Sequence, residues 1–439
     1  MKPITGKIPG YALASTFVAL GGILNGFDTG SVGAVTEMPF FTHTFGHLTP
    51  TMRGFTVSLI MLCGAIPATV AGYLADRFGR LRIIIVGAIL FTIGCVLECA
   101  ASHLSLFLVG RAIVGIGQGF ALTNIGVYIC EIAPSRNRGK FVSLPQFGAA
   151  LGVCVGYFSC YGSIHINGNM SWRLPYILQA ALSMVWAAGS FFLPESPRWL
   201  ILHGQRLRAM QELKKLDFEA VEAEKDVLRP TDNASPEEQV GILQGLRLIF
   251  KREYRSQTWL AVFILSFVQL SGIDGVLYVC SPHPKARTCF NKLTPLRSTP
   301  RPSSLKPESP RKQPLSSRLV SPPSSCSPSA FPPHSSPTNG VVARPPSAAA
   351  SSSRGLCFQF GSLYAANVVH SDGAARWVVI VSVFVFAIGY VSTWAIVGKI
   401  YASEIQPTKT RATTNSMATG GSFVSRVFTS SSTVHHGPD

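Results

Sequence analysis

Two charged residues stand where an apolar chain should carry none: Asp28 within "GGILNGFDTGSVGAV" and Arg111 within "LFLVGRAIVGIGQGF". At bilayer depth each costs about 2.5–3.5 kcal/mol on insertion scales, so such residues line a watery cavity or pair with an opposite charge. Arg111 is therefore the partner expected for Asp28. The pair is either static or opened by protonating the carboxylate; alternatively Asp28 lies near the end of its stretch and reaches the interface. Asp28-Thr29-Gly30-Ser31 also spells the loop of an aspartic protease. That chemistry needs two carboxylates sharing a proton, each on a loop between strands. No second such loop occurs and the flanks are a glycine-rich apolar stretch, so an enzyme is not expected.

The elements that must hold these residues are apolar runs. Stretches of about 20 residues, the length that crosses a bilayer core, are predicted at roughly 11–35, 55–75, 83–102, 105–127, 143–162, 174–193, 258–280 and 377–400. Only 13% of the 439 residues are charged and the mean hydropathy is +0.30, against about 25% charged in a soluble domain. An all-α polytopic membrane protein follows. The first run is too long for a signal-peptide core and ends in no small-residue cleavage site, so it should stay as span one.

The net charge of +17 invites a nucleic-acid reading, but its distribution argues otherwise. Residues 281–355 hold eleven Lys/Arg against one acid, Glu308, and so supply +10 of it. The rest clusters in alternate loops: Arg77, Arg80 and Arg82; Arg136, Arg138 and Lys140; Arg198, Arg206 and Arg208; Lys409 and Arg411. The positive-inside rule puts those loops and the N-terminus in the cytoplasm, and no nucleic acid is expected. Of ten cysteines, Cys63, Cys95, Cys99, Cys130, Cys154 and Cys160 fall inside or at the edges of the spans without paired spacing. They suggest neither a disulfide framework nor a metal site, and nothing calls for a cofactor. Gly110, Gly115, Gly117 and Gly119 allow close helix approach. No strand precedes them, so they are not a nucleotide fingerprint.

The chain repeats itself. "EIAPSRNRG" (131–139) matches "EIQPTKTRA" (404–412), each directly after a span, and Gly26-Phe27-Asp28 is echoed by Gly272-Ile273-Asp274. Matching pieces in matching order indicate a transporter of two related halves with its site between them. The expected organisation is a six-helix bundle over 1–197, a cytoplasmic connector over 198–256, span seven over 257–280, a Ser/Pro/Arg-rich segment over 281–360, and span ten with part of span eleven and a tail over 361–439. Residues 281–355 contain 16 prolines and 18 serines, a composition that cannot bury enough apolar surface to order itself. The segment is either a disordered insertion or retained non-coding or wrong-frame sequence.

These pieces together form a known pattern. "GYLADRFGRLR" (72–82), "GRAIVGIGQG" (110–119), "YICEIAPSRNRG" (128–139), "PESPRWL" (194–200), "QLSGIDGVLY" (269–278) and "STWAIVGKIYASEIQPTKTRA" (392–412) stand in order. The chain resembles the sugar porter family of the major facilitator superfamily, of the fungal type, over about 10–280 and 361–423. The resemblance implies the major facilitator fold, with the N-terminal six-helix bundle intact and the C-terminal bundle incomplete. It implies transport of a monosaccharide or related polyol by alternating access, coupled to protons, from a multi-pass protein of the plasma membrane.

By the same resemblance, Asp28 and Arg111 form the proton switch: protonating Asp28 weakens its hold on Arg111 and biases the bundles between inward and outward states. Sugar would be held by Gln146, Gln269, Asp274, Tyr278 and Trp394, since amides, hydroxyls and an indole suit a neutral polyol. Asp76, Arg77, Arg80, Glu131, Arg138, Glu195, Arg198, Glu404 and Arg411 would form salt bridges between bundles that latch the outward-facing state. Exposed pairs are worth about 0–1 kcal/mol each, so a network is needed. Departures from the family pattern stand at Asn25, Val268, Lys399 and near Ser422-Phe423, and leave the particular sugar open. After "NSMATGGSF" the chain turns polar, so most of span eleven and all of span twelve are expected to be absent. A sugar sensor that does not transport, or a truncated and inactive product of a sugar transporter gene, are the alternatives.

Overall fold

The computed structural model describes residues 9–217, 250–270, 398, 401, 405 and 411–435; among them there is helix, turn and irregular chain, and no strand. The helices are α1 (Gly10–Thr36), α2 (Pro39–Phe45), α3 (Pro50–Phe78), α4 (Arg80–Ala100), α5 (Leu104–Ile132), α6 (Arg138–Ser163), α7 (Met170–Ser190), α8 (Pro197–Leu202), α9 (Arg206–Lys215), α10 (Arg255–Leu270) and α11 (Arg411–His435). Five of these, α1, α3, α4, α5 and α6, are long and apolar enough to cross a membrane. α7, at 21 residues, has the length to cross as well and closes the first bundle against α4, α1 and α6.

The helices outrun the apolar runs that predict them. α3 extends to Phe78 and α5 to Ile132, so Asp76, Arg77 and Glu131 sit on rigid helix ends instead of in loops. α3 begins on Thr49, whose hydroxyl accepts the Met52 N–H at 3.3 Å, with Pro50 in the first turn; both are strong start signals. Gly79 separates α3 from α4 at φ 103°, a backbone that L side chains rarely adopt. The connector contributes two short helices. α9 is followed by Leu216 and Asp217, which return to the start of α1: Leu216 O accepts the Tyr11 N–H at 3.2 Å, and Asp217 Oδ2 the Gly10 N–H at 2.8 Å.

Bundle packing rests on bare backbone. A methyl added at Gly22, Gly26 or Gly30 of α1 would fall on the carbonyl of Pro145, Ala149 or Val153 of α6, and one at Gly152 on the carbonyl of Ile23. The α5 glycines behave as their sequence implies: Gly115 and Gly119 lie against Ile60 and Gly64 of α3, and Gly117 against Gly87 and Phe91 of α4. Small residues at such contacts let helices associate by van der Waals contact where lipid offers no hydrophobic drive.

One element runs on as helix beyond its apolar text. The polar text after Phe423, expected to end span eleven as a stub, continues as helix to His435. Hydroxyls along this helix turn inward to their own backbone, two before Phe423 and one after it: Thr419 Oγ1 donates to Asn415 O at 2.8 Å, Ser422 Oγ to Thr419 O at 2.7 Å and Ser425 Oγ to Gly421 O at 3.1 Å. This back-bonding satisfies serine and threonine within a helix. No glycine or proline interrupts the run between Gly421 and Gly437. α11 packs on α3 through Phe423 against Met61, Ala65 and Ala68, and on α10 through Ala418 against Ala261 and Leu265. It is the described element of the second half that joins the first.

Gly26→Val should lower the melting temperature of the purified chain, since a carbonyl cannot rotate away and overpacking costs about 1–3 kcal/mol. Gly126→Ala, whose methyl meets nothing within 4 Å, should not lower it. Thermal unfolding in detergent compares the two.

Candidate functional site

Asp28 on α1 and Arg111 on α5 meet inside the first bundle. Arg111 Nη1 donates to Asp28 Oδ1 at 2.9 Å and to Oδ2 at 3.1 Å. The arginine is wholly buried and the aspartate 3% exposed. Gln179 of α7 donates a further bond to Asp28 Oδ1 at 3.3 Å, and Arg111 Nη2 donates to the Tyr176 hydroxyl at 3.1 Å. The guanidinium also lies over the Phe107 and Tyr176 rings, 5.4 and 5.7 Å from their centroids, a favourable place for a desolvated cation. Phe107 is one turn before Arg111 on α5, so one helix face carries both the charge and its aromatic support.

A third charge joins them that the sequence reading passed over. Glu98 of α4 is fully buried with Oε1 3.6 Å from Arg111 Nε. The rule that exposed Asp28 would have found it, because "VLECA" places a carboxylate inside an apolar run. Tyr176 and Gln179, three apart on one face of α7, gave no such signal; both residue types are ordinary in spans. Toward the N-terminal end of α5 the rings of Phe41, Phe107, Trp172 and Tyr176 pack edge to face at 5.5–6.5 Å, closing that side. Further along, Gln118 of α5 donates to Asn25 Oδ1 of α1, a second polar tie between the same two helices.

The expected latch residues form a compact network at the other end. Arg80 Nη2 lies 2.5 Å from Asp76 Oδ1, and Arg80 Nε 3.1 Å from Glu131 Oε1. Ser196 donates to Glu131 Oε2 at 2.5 Å, Arg80 Nη1 to Ala75 O at 3.1 Å, and Trp199 Nε1 to Asp76 O at 2.8 Å. Arg82 and Glu195 pair at 3.3 Å. Every one of these bonds joins elements of the first half, so among the described residues the pairs stitch one bundle together and do not cross between two. Arg77 lies over the Phe78 ring and is exposed. Arg138 makes no ion pair among the described residues, and Arg198 sits at the start of α8. Glu404 and the Arg411 side chain fall outside the described residues. The second half still reaches this place: Ser416 of α11 lines one recess with Gly72, Asp76, Arg80 and Asn124.

The sugar ligands are described in part. Gln146 is half-buried on α6. Gln269, 7% exposed at the end of α10, accepts a bond from Arg426 Nε of α11 at 2.9 Å, a partner the sequence did not suggest. Asp274, Tyr278 and Trp394 lie outside the described residues. Among the described residues no cluster of His, Cys, Asp and Glu could hold a metal ion.

Comparison with known proteins gives a consistent picture. Residues 14–282 and 348–434 match the family described as "Sugar (and other) transporter". The glucose transporter GlcP of Staphylococcus epidermidis is 33% identical over 209 residues, 48% of this chain and 45% of that protein. Sugar transport protein 1 of Arabidopsis thaliana is 30% identical over 298 residues, 63% of this chain and 56% of that protein. The arabinose-proton symporter of Bacillus subtilis is 30% identical over 271 residues, 61% of this chain and 57% of that protein. The chain thus spans about half the length of the curated relatives it matches. Among solved structures, the partially occluded inward open form of the xylose transporter XylE from E. coli shares the fold. Its TM-score is 0.66 at 20% identity, over 98% of this chain and 92% of that one.

Removing Arg80 strands Glu131, whose side chain is 8% exposed. Arg80→Ala should therefore cost about 3–5 kcal/mol, the usual penalty for breaking a buried pair. Arg82→Ala breaks a pair that is 59% and 32% exposed, and should cost at most about 1 kcal/mol. Equal losses in thermal unfolding would contradict this ranking.

Proposed function

The chain belongs to the sugar (and other) transporter family, and from that premise we propose that it moves a monosaccharide or related polyol across a membrane, coupled to protons, by alternating access. The observation that carries this reading is the buried Asp28–Arg111 pair between α1 and α5. A structural ion pair is replaceable by apolar residues at little loss. One that holds a titratable carboxylate against a cation, deep in a bundle, is suited to couple a proton to a shape change. A neutral Asp28 keeps its bond from Gln179 but no longer anchors the Arg111 charge, which Tyr176 and Glu98 still hold from α7 and α4. The link between α1 and α5 is then the one that weakens.

The relatives' names support the chemistry. The Bacillus subtilis protein is called an arabinose-proton symporter, and a related structure is titled a proton:xylose symporter bound to 6-bromo-6-deoxy-D-glucose. All these relatives are transporters, which supports a carrier over an enzyme.

Gln146, Gln269, Asp274, Tyr278 and Trp394 would line the sugar path. Gln269 already bonds Arg426, so a sugar hydroxyl either shares that amide or replaces the arginine there. Asp76, Arg80 and Glu131 would form the rigid half of a latch, with Glu404 and Arg411 as its opposing charges. Arg77, Arg138, Glu195 and Arg198 are read as the same cytoplasmic surface. The N-terminus is assigned to the cytoplasm on the charge of its loops, and the protein to the plasma membrane on its family resemblance.

The test is uptake of labelled glucose, xylose, arabinose and inositol into proteoliposomes holding the full chain. An inward proton gradient should drive accumulation of at least one of them. Asp28→Asn should abolish accumulation against a gradient while sugar-for-sugar exchange continues. Undiminished accumulation by that variant would refute the proton role of Asp28, and a lack of flux for every sugar would refute the carrier.

A further inference from the structure

Glu98 is the unsatisfied member of the interior charge cluster. Its side chain is fully buried and neither Oε1 nor Oε2 has a hydrogen-bond partner. Arg111 Nε, 3.6 Å away, also makes no hydrogen bond. Asp28 by contrast receives two bonds from Arg111 and one from Gln179. Two carboxylates thus compete for one guanidinium, and Asp28 has the better geometry.

The surroundings offer Glu98 no other neutralising charge. Among the described residues, Arg111 is the cation that acts on it and Asp28 the anion. From α5 the backbone at Gly110 closes against its Cγ. On α7, Tyr176 is engaged with Arg111, and Arg173 donates instead to Ala101 O at 3.0 Å. Cys95 lies one turn before it on α4 and is itself fully buried. Among the described residues, α3 offers it neither an ion pair nor a hydrogen bond. With both carboxylates ionised the cluster would carry a net negative charge in a site closed to water. A buried ion without hydrogen bonds is heavily penalised, and like charges sharing a site cannot both ionise freely. One proton brings the cluster to neutrality, and the carboxylate with no donors is where it rests.

We propose that Glu98 is a second proton-binding carboxylate of this site: a neutral acid while Arg111 is paired with Asp28, and the ionised partner of Arg111 once Asp28 is protonated. The balance is simple. A proton arriving from water binds Asp28 and breaks its ion pair; Arg111 turns to Glu98, whose O–H proton leaves to water. The cluster holds one proton throughout and stays neutral, so a proton entering at one carboxylate displaces one from the other. This extends the proton-coupled reading of the same residues, and it concerns protonation alone.

Infrared difference spectroscopy of the full chain in lipid nanodiscs at neutral pH tests it without any sugar flux. A chain that transports nothing still reports, so failure here is distinct from failure in the uptake assay. The wild type minus Glu98→Gln spectrum should show the carbonyl stretch of a protonated carboxylic acid, and Glu98→Asp should displace that band. Asp28→Asn should remove it, because Arg111 then draws Glu98 into ionised form. Absence of the band from the wild type, its survival in Glu98→Gln, or its survival in Asp28→Asn would each overturn the proposal. Should Glu98→Gln fail to fold, as thermal unfolding would reveal, the shift in Glu98→Asp decides in its place: a displaced band supports the assignment and an unmoved one ends it.

Discussion

A guanidinium buried to zero exposure governs the interior of the first bundle. Arg111 cannot shed its charge, and an unpaired cation at that depth is costly, so its neighbours must come to it. Each does so from a different helix: Asp28 from α1, Glu98 from α4, Tyr176 from α7. The crossing points of four helices are thereby specified by one residue. Hydrophobic packing alone would leave them free to slide, because lipid tails are as apolar as the side chains between helices. The glycines of α1 and α6 serve the same end from the backbone side. They seat the α1 backbone directly on that of α6, which fixes the place of the helix that carries Asp28.

How much of this was legible depended on how unusual each residue is in its setting. Asp28 and Arg111 were readable because a charge in an apolar run has few explanations. Glu98 obeys the same rule, yet it stands near the end of its run, where a glutamate that reaches the interface is the ordinary case. Tyr176 and Gln179 were not readable: their role comes from which face of α7 meets α1 and α5, a tertiary fact. The latch residues were found by motif; the pairs described join elements of the first half, and their expected second-half partners Glu404 and Arg411 lie outside the described side chains. The motif supplies opposite charges at helix ends, and such charges bind the nearest partner, here Glu131 beside Arg80. α11 shows the limit of composition. Serine and threonine make the text polar, and helix context lets such hydroxyls fold back on the preceding turn.

The two charge clusters are connected through shared helices. Arg80 and Glu98 lie 18 residues apart on α4, Arg111 and Glu131 20 apart on α5, separations of about 27 and 30 Å at 1.5 Å per residue. Because α4 and α5 run antiparallel, Arg80 meets Glu131 at one end and Glu98 meets Arg111 at the other. The signs alternate so that, of these four residues, each helix carries one cation and one anion. The end pair at 3.1 Å is hydrogen-bonded and the inner one at 3.6 Å is not. α4 and α5 are therefore a frame clipped firmly at the Arg80–Glu131 end, and the inner contact is the one that, as proposed above, exchanges partners without loosening the frame. α11 meets α3 at Phe423, against Met61, Ala65 and Ala68. That contact is apolar, without a described ion pair. The residues that hold charge and this apolar contact are on different faces of the same bundle, an arrangement that suits the carrier proposed above.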